Sequence, residues 1–230
     1  MRNKEDNCPV SFKFDPYYGW TDVCLTTEKE QIFFILSNTL GSSINNLIYV
    51  LYFFSPIQED NIEAGFIDYI QAVVNHEKKE LIEKYEGEII DPQYEICEIP
   101  VRGTFVWDEE GNESIWKFQR EISPGNIFDF TVNLHIETHR EEIKIYDFQF
   151  KYKDLCYAVS KACDKMLHEY GLFGYHQNCA CDDLDINKFL YLKAIALNCV
   201  DFRKTTKHKT EDGQVSSYVN ELNLLNLKTK

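Results

Sequence analysis

From Ile99 to Tyr170 the apolar positions recur first at every second residue and then at helical spacing. Phe128, Phe130, Val132, Leu134 and Ile136 alternate with Asp129, Thr131, Asn133, His135 and Glu137. That period of two is the mark of a strand with one face buried. After a polar turn around Thr138–Glu142, Tyr146, Phe148 and Phe150 continue the apolar set. Upstream, two alternating runs flank Gly111-Asn112, residues that tolerate positive φ and therefore suit a two-residue hairpin loop. A loop at those two positions sets Trp107 opposite Trp116, Phe105 opposite Phe118, Gly103 opposite Arg120 and Val101 opposite Ile122. On the other face Arg102 meets Glu121 and Thr104 meets Gln119. The pattern predicts a four-stranded antiparallel meander with one apolar face and one wet face.

The remaining elements follow in order. Val10–Phe14 reads as a short strand, and Thr21–Leu25 with Gln31–Ser37 as a hairpin with Trp20 packed beneath it. Ile32-Phe-Phe-Ile-Leu36 is continuous, which predicts burial on both faces or at a layer junction. Ser37 or Asn38 caps a predicted helix from Thr39 to Phe54, with Leu40, Ile44, Leu47, Ile48 and Leu51 as its stripe and Pro56 as its stop. A second helix is predicted over Asn61–Tyr85. A long one carries Leu155, Val159, Ala162, Cys163, Met166, Leu167 and Tyr170 and stops at Gly171; another covers Asp185–Cys199. The predicted fold is α+β: an antiparallel sheet, made of an N-terminal hairpin plus the meander, with helices packed on one face. It forms one domain over residues 1–202, with a helical insertion near 61–88 and a mobile tail over 203–230 that holds one weak helical turn at Tyr218–Leu225.

Charge narrows the partners. The formal net charge of −14 argues against nucleic acid and anionic membrane and suits a basic protein. No apolar run reaches 18 residues, and Met1–Asp6 leads into no signal-type segment, so the expectation is a cytoplasmic chain whose eight cysteines are reduced and mostly buried.

Four groups are candidates for chemistry. His176, Cys179 and Cys181 are the densest set of metal-ligand types, but Cys-x-Cys has no second matching pair; the competing reading is a loop with Asp182 or Asp183 capping the next helix. The wet row Asp129, Thr131, Asn133, His135 and Glu137 offers acid–base groups, yet side chains two apart on a strand stand about 7 Å apart, so a solvated face is favoured. Arg120 breaks the apolar row and could stack on an aromatic ring or bind a carboxylate; an anion or partner contact in a cleft between sheet and helices competes with the favoured reading, snorkelling to the rim or a buried pair with an acidic helix residue. Asp108, Glu109, Glu110 and Glu113 crowd the hairpin tip; this is either a solubilising end or a surface for a basic protein. No nucleotide-binding glycine loop, nucleophile elbow or zinc-protease motif is present, so no catalytic residue and no cofactor is assigned.

Ser37-Asn-Thr-Leu-Gly41 leading into a helix, Trp107-Asp-Glu-Glu-Gly111 with Trp116, and the helix end Tyr170-Gly171-Leu-Phe-Gly-Tyr175 together resemble an uncharacterised bacterial family of small α+β proteins. The resemblance covers Thr21–Phe54 and Thr104–Tyr175 and makes Asn61–Glu88 an insertion. Proteins of this kind resemble immunity proteins of bacterial toxin systems, which implies a non-enzymatic, protein-binding role. The alternatives are a small-molecule site or enzyme using a cleft between sheet and helices, with Arg120, His135 or His176 drawn together, and a metal-binding module at His176–Asp183.

Overall fold

The computed structural model describes residues 8–40, 43–55, 102–121, 130–180, 182–197 and 218–226. The helix expected over Asn61–Tyr85 lies outside the described residues, as do Val101, Ile122, Asp129 and Cys181. The fold is α+β, with two antiparallel sheets. Strands β1 (Val10–Tyr17), β2 (Trp20–Thr27) and β3 (Gln31–Ser37) form one; β4 (Arg102–Asp108), β5 (Glu113–Arg120), β6 (Thr131–His139) and β7 (Ile143–Lys151) form the other, in sequence order.

The N-terminal hairpin expected from sequence is therefore a three-stranded meander. Its extra turn is Tyr18-Gly19, where positive φ values of 43° and 87° match the twist of the flanking strands. The two sheets meet through aromatic rings: Phe34 lies 5.0 Å from Trp116 and 5.7 Å from Trp107, and Phe12 lies 6.5 Å from Trp116, centroid to centroid. Both tryptophans of the second hairpin are fully buried.

The β4–β5 register differs by two residues from the expected one. The turn is Glu110-Gly111, at φ 53° and 90°, closed by Glu109 N–H donating to the Asn112 carbonyl at 2.9 Å. Phe105 faces Trp116, Trp107 faces Ser114, Gly103 faces Phe118, Arg102 faces Gln119 and Thr104 faces Lys117. Because the shift is even, every side chain keeps its expected face. The physical reason is at the tip. Asp108 accepts the Glu110 N–H at 2.8 Å, and Glu109, turned inward, gains Ser114 and Arg140 as partners, which offsets a left-handed Glu110.

Helix α1 (Ile44–Phe53) starts later than expected. Its cap is Ser43, with a capping box closed by Asn46: Asn45 N–H donates to Ser43 Oγ at 3.2 Å and Ser43 N–H to Asn46 Oδ1 at 2.7 Å. Ser37 and Asn38 are drawn away from capping because Asn38 closes onto the first hairpin, donating to the Gly19 carbonyl at 3.0 Å and to Thr21 Oγ1 at 3.0 Å. The stripe Ile44, Leu47, Ile48 and Leu51 is fully buried, and Trp107 Nε1 donates to the Ser43 carbonyl at 3.1 Å.

Helix α2 (Tyr152–Asn178) breaks at Gly171, at φ 69°, then resumes, so the glycine kinks the helix where an end was expected. It runs beside β1: Tyr170 donates to Asp15 at 2.5 Å, and Gly19 N–H donates to the Asn178 carbonyl at 2.6 Å. Asp185 caps α3 (Ile186–Ala196) by accepting the Lys188 N–H at 3.1 Å. Within the expected tail, α4 (Tyr218–Asn226) docks on α3: Leu224 packs with Leu190 and Ala194, and the Leu225 carbonyl accepts from fully buried Lys193 at 3.0 Å. Among the described residues no helix is long and apolar enough to cross a membrane.

Candidate partner-binding groove

On the outer face of the three-stranded sheet the alternation fails. Ile32, Phe34 and Leu36 are buried as expected, but Phe33 and Ile35 are 60% and 48% exposed, against the expectation of burial on both faces. Pairing puts Phe33 beside Cys24 and Ile35 beside Asp22, and sets Tyr17 beside Trp20 at the end of the sheet. The tips of two hairpins from the other sheet come round the free edge of β3. Together Tyr17, Trp20, Phe33, Ile35, Glu109, Glu110, Asn112 and Arg140 line a groove of about 560 Å³.

Its charged wall is rigid. Arg140 donates through Nε and Nη2 to Glu109 Oε2 at 3.1 and 2.7 Å, and through Nη2 to the Phe33 carbonyl at 2.5 Å. Ser114 donates to the other Glu109 oxygen, Oε1. The Glu109 carboxylate is nearly fully buried while Arg140 stays partly exposed, so this pair seals one sheet to the other and holds the β3 edge. Beside the groove, Tyr17 donates to Asp22 at 3.0 Å; burial first, and then that carboxylate, raise the Tyr17 hydroxyl above its ordinary pKa. Arg140 and Glu109 are thus paired with each other, and the remaining lining joins the apolar surface of Tyr17, Trp20, Phe33 and Ile35 to Asn112 and the exposed Glu110, with Asp22 beside it.

The acidic tip read from sequence divides. Glu110 and Glu113 are exposed, Asp108 bonds its own turn, and Glu109 is an interior ion-pair partner, which withdraws it from an exposed binding surface. Arg120 is buried on the apolar face with its guanidinium carbon 3.9 Å above the Phe130 ring; burial lowers its pKa. Phe130 in turn stacks on Tyr152 at 4.4 Å, and Tyr152 donates to the Leu51 carbonyl at 2.7 Å. Of the readings open for Arg120, stacking on an aromatic ring is present; the favoured snorkelling to the rim is not, because the guanidinium lies over Phe130 in the core, and Arg120 does not line the groove.

The other candidates separate. Cys179 is buried against Thr21, 3.7 Å from its hydroxyl, and burial pushes its thiol up to about 11. His176 faces outward, 2.8 Å from Asp183. Among the described residues no three histidine, cysteine or acidic side chains converge as for a metal ion. Asp182 accepts from Asn45 at 3.2 Å and Tyr175 at 3.3 Å near the start of α1, and burial raises its pKa; Asp185 is the cap. On the wet face of the meander, His135 pairs with Asp147 at 2.8 Å, and His139 meets Glu137 at 2.6 Å and Glu113 at 3.1 Å. Asn133 donates to Glu121 at 3.0 Å. That row forms cross-strand polar pairs on an open sheet face.

No family model, no curated protein and no solved structure matches this chain. Sequence reasoning passed over Phe33, Ile35, Tyr17, Trp20 and Arg140. The available signal was the unbroken run Ile32–Leu36 in a sheet whose other strands alternate. An apolar residue of the wrong parity marks either a second core or an exposed contact surface.

Proposed function

We propose that the chain is a non-enzymatic module that binds a basic protein, an immunity-type neutraliser of a bacterial toxin acting in the cytoplasm. The observation that carries the reading is the exposed apolar surface of Phe33 and Ile35, set between carboxylates and held by the Glu109–Arg140 pair. Patches of this kind, rimmed by charge, serve contact with other proteins. The net charge of −14 adds long-range attraction for a basic partner and fast, salt-dependent association. The resemblance noted in the sequence supports the immunity assignment within that class.

The test is affinity capture from the source cytoplasm, followed by association kinetics with the purified partner. The partner is expected to be basic, and its association rate to fall at least tenfold between about 50 mM and 300 mM salt, as the shortening Debye length screens the attraction. Capture of no specific partner, or a rate insensitive to salt, would overturn the reading.

A further inference from the structure

We infer that the groove between β3 and the two hairpin tips receives the guanidinium of an arginine carried on an extended segment of the partner. This rests on the protein-binding reading above and goes further by naming the chemistry of the contact.

Three features of the groove select such a group. Its floor is built from Phe33, Trp20 and Tyr17, whose rings offer the flat, electron-rich faces on which a guanidinium stacks. One exposed carboxylate, Glu110, lines the groove at the β4–β5 turn, and a second, Asp22, borders it, bonded by the Tyr17 hydroxyl at 3.0 Å and paired in register with Ile35. The cation already in the wall, Arg140, is matched by buried Glu109 at 2.7 Å and is also committed to the Phe33 carbonyl at 2.5 Å. With that pair neutral, Asp22 and Glu110 leave the groove negative among the described residues. An incoming carboxylate or phosphate would meet like charge at Glu110 and beside it at Asp22, whereas a guanidinium would meet aromatic side chains and carboxylate acceptors. The volume of about 560 Å³ exceeds one side chain, which leaves room for the flanking backbone of an extended segment along the β3 edge.

The test is a heteronuclear NMR titration of the full chain with three capped pentapeptides of glycine carrying arginine, lysine or glutamate at the centre. The Trp20 indole N–H and the backbone amides of Phe33 and Ile35 are the reporters. The arginine peptide is expected to shift these signals saturably, at least threefold more tightly than the lysine peptide, and the glutamate peptide to leave them in place. Phe33→Ala, and separately Asp22→Asn with Glu110→Gln, are expected to weaken arginine binding at least fivefold with unchanged melting temperature, since all three side chains lie at the surface. Tighter binding of the glutamate peptide would overturn the inference. So would arginine-induced shifts that spread over the acidic surface and persist in these variants. A captured natural partner whose affinity ignores the groove variants would also overturn it, while leaving the protein-binding reading intact.

Discussion

Gly103 of β4 lies against Val50 of α1 so closely that a Cβ at position 103 would stand 2.7 Å from Val50 Cγ1 and 3.6 Å from Phe54 Cζ. The glycine is what lets the first helix approach the second sheet, and the stiff β-branched side chain opposite it has little room to give. Gly103→Ala is expected to cost about 1–3 kcal/mol by overpacking. Adding Val50→Ala should recover part of that loss, so that the two changes couple favourably by about 1 kcal/mol in a denaturant-melt double-mutant cycle. Additive losses would show that the approach is not the constraint.

Two adjacent glutamates should behave in opposite ways. Glu109→Ala strips Ser114 and Arg140 of their shared partner and is expected to cost about 2–3 kcal/mol of stability. Glu110→Gln should change stability by no more than about 0.5 kcal/mol and show its effect in partner association. Paired urea melts and binding rates separate the two.

Arg120→Met should be felt as stability. Loss of the contact over Phe130 at 3.9 Å is expected to cost about 1 kcal/mol, read as a lower melting temperature. Partner affinity should stay unchanged, because the guanidinium is buried in the core.

Lys193 joins three helices. Its ammonium donates to Asp164 of α2 at 2.6 Å and to the Leu225 carbonyl of α4 at 3.0 Å. Lys193→Met is expected to cost about 3 kcal/mol, since it leaves Asp164 without this partner at a half-closed site. Amide hydrogen exchange in Tyr218–Asn226 should accelerate before the rest of the chain does.

The Tyr170–Asp15 bond makes a pH signature. Tyr170, and then Lys13, hold the Asp15 carboxyl below its ordinary 3.8, while the same bond raises the Tyr170 hydroxyl to about 12. A depressed acid stabilises above its ordinary pKa and loses that contribution as pH falls through the folded value. A raised phenol stabilises below about 10 and loses its contribution as pH climbs through about 12. Tyr170→Phe should therefore cost most between about pH 4 and pH 10, by about 1 kcal/mol after allowing for solvent screening, and converge on the parent protein at both extremes. A pH-independent difference would assign the effect to packing.

Much of this was legible in one dimension, for a physical reason. Strand faces depend on a period of two and helix stripes on a period of 3.6, and both are written in the residue order. Phe105, Trp107, Trp116, Phe118, Val132, Leu134 and Ile136 are buried as their alternation requires, and an even register shift left every one on its face. Gly171 breaks helical geometry at the position where a stop was expected, although the helix resumes to Asn178. What the residue order could not carry was the choice among local options of similar energy. Ser37, Asn38 and Ser43 all suit a helix cap; Asn38 was claimed by the first hairpin through contacts with Gly19 and Thr21. Gly111-Asn112 and Glu110-Gly111 both suit a tight turn, and the buried pairing of Glu109 with Arg140, 31 residues away, accompanies the second. The groove belongs to this class: Tyr17, Trp20, Phe33 and Ile35 share one sheet, but Glu109, Glu110 and Arg140 came beside the β3 edge only when two sheets distant in sequence packed together. The sequence by itself determined which faces are apolar, and tertiary packing decided which of those faces were left uncovered.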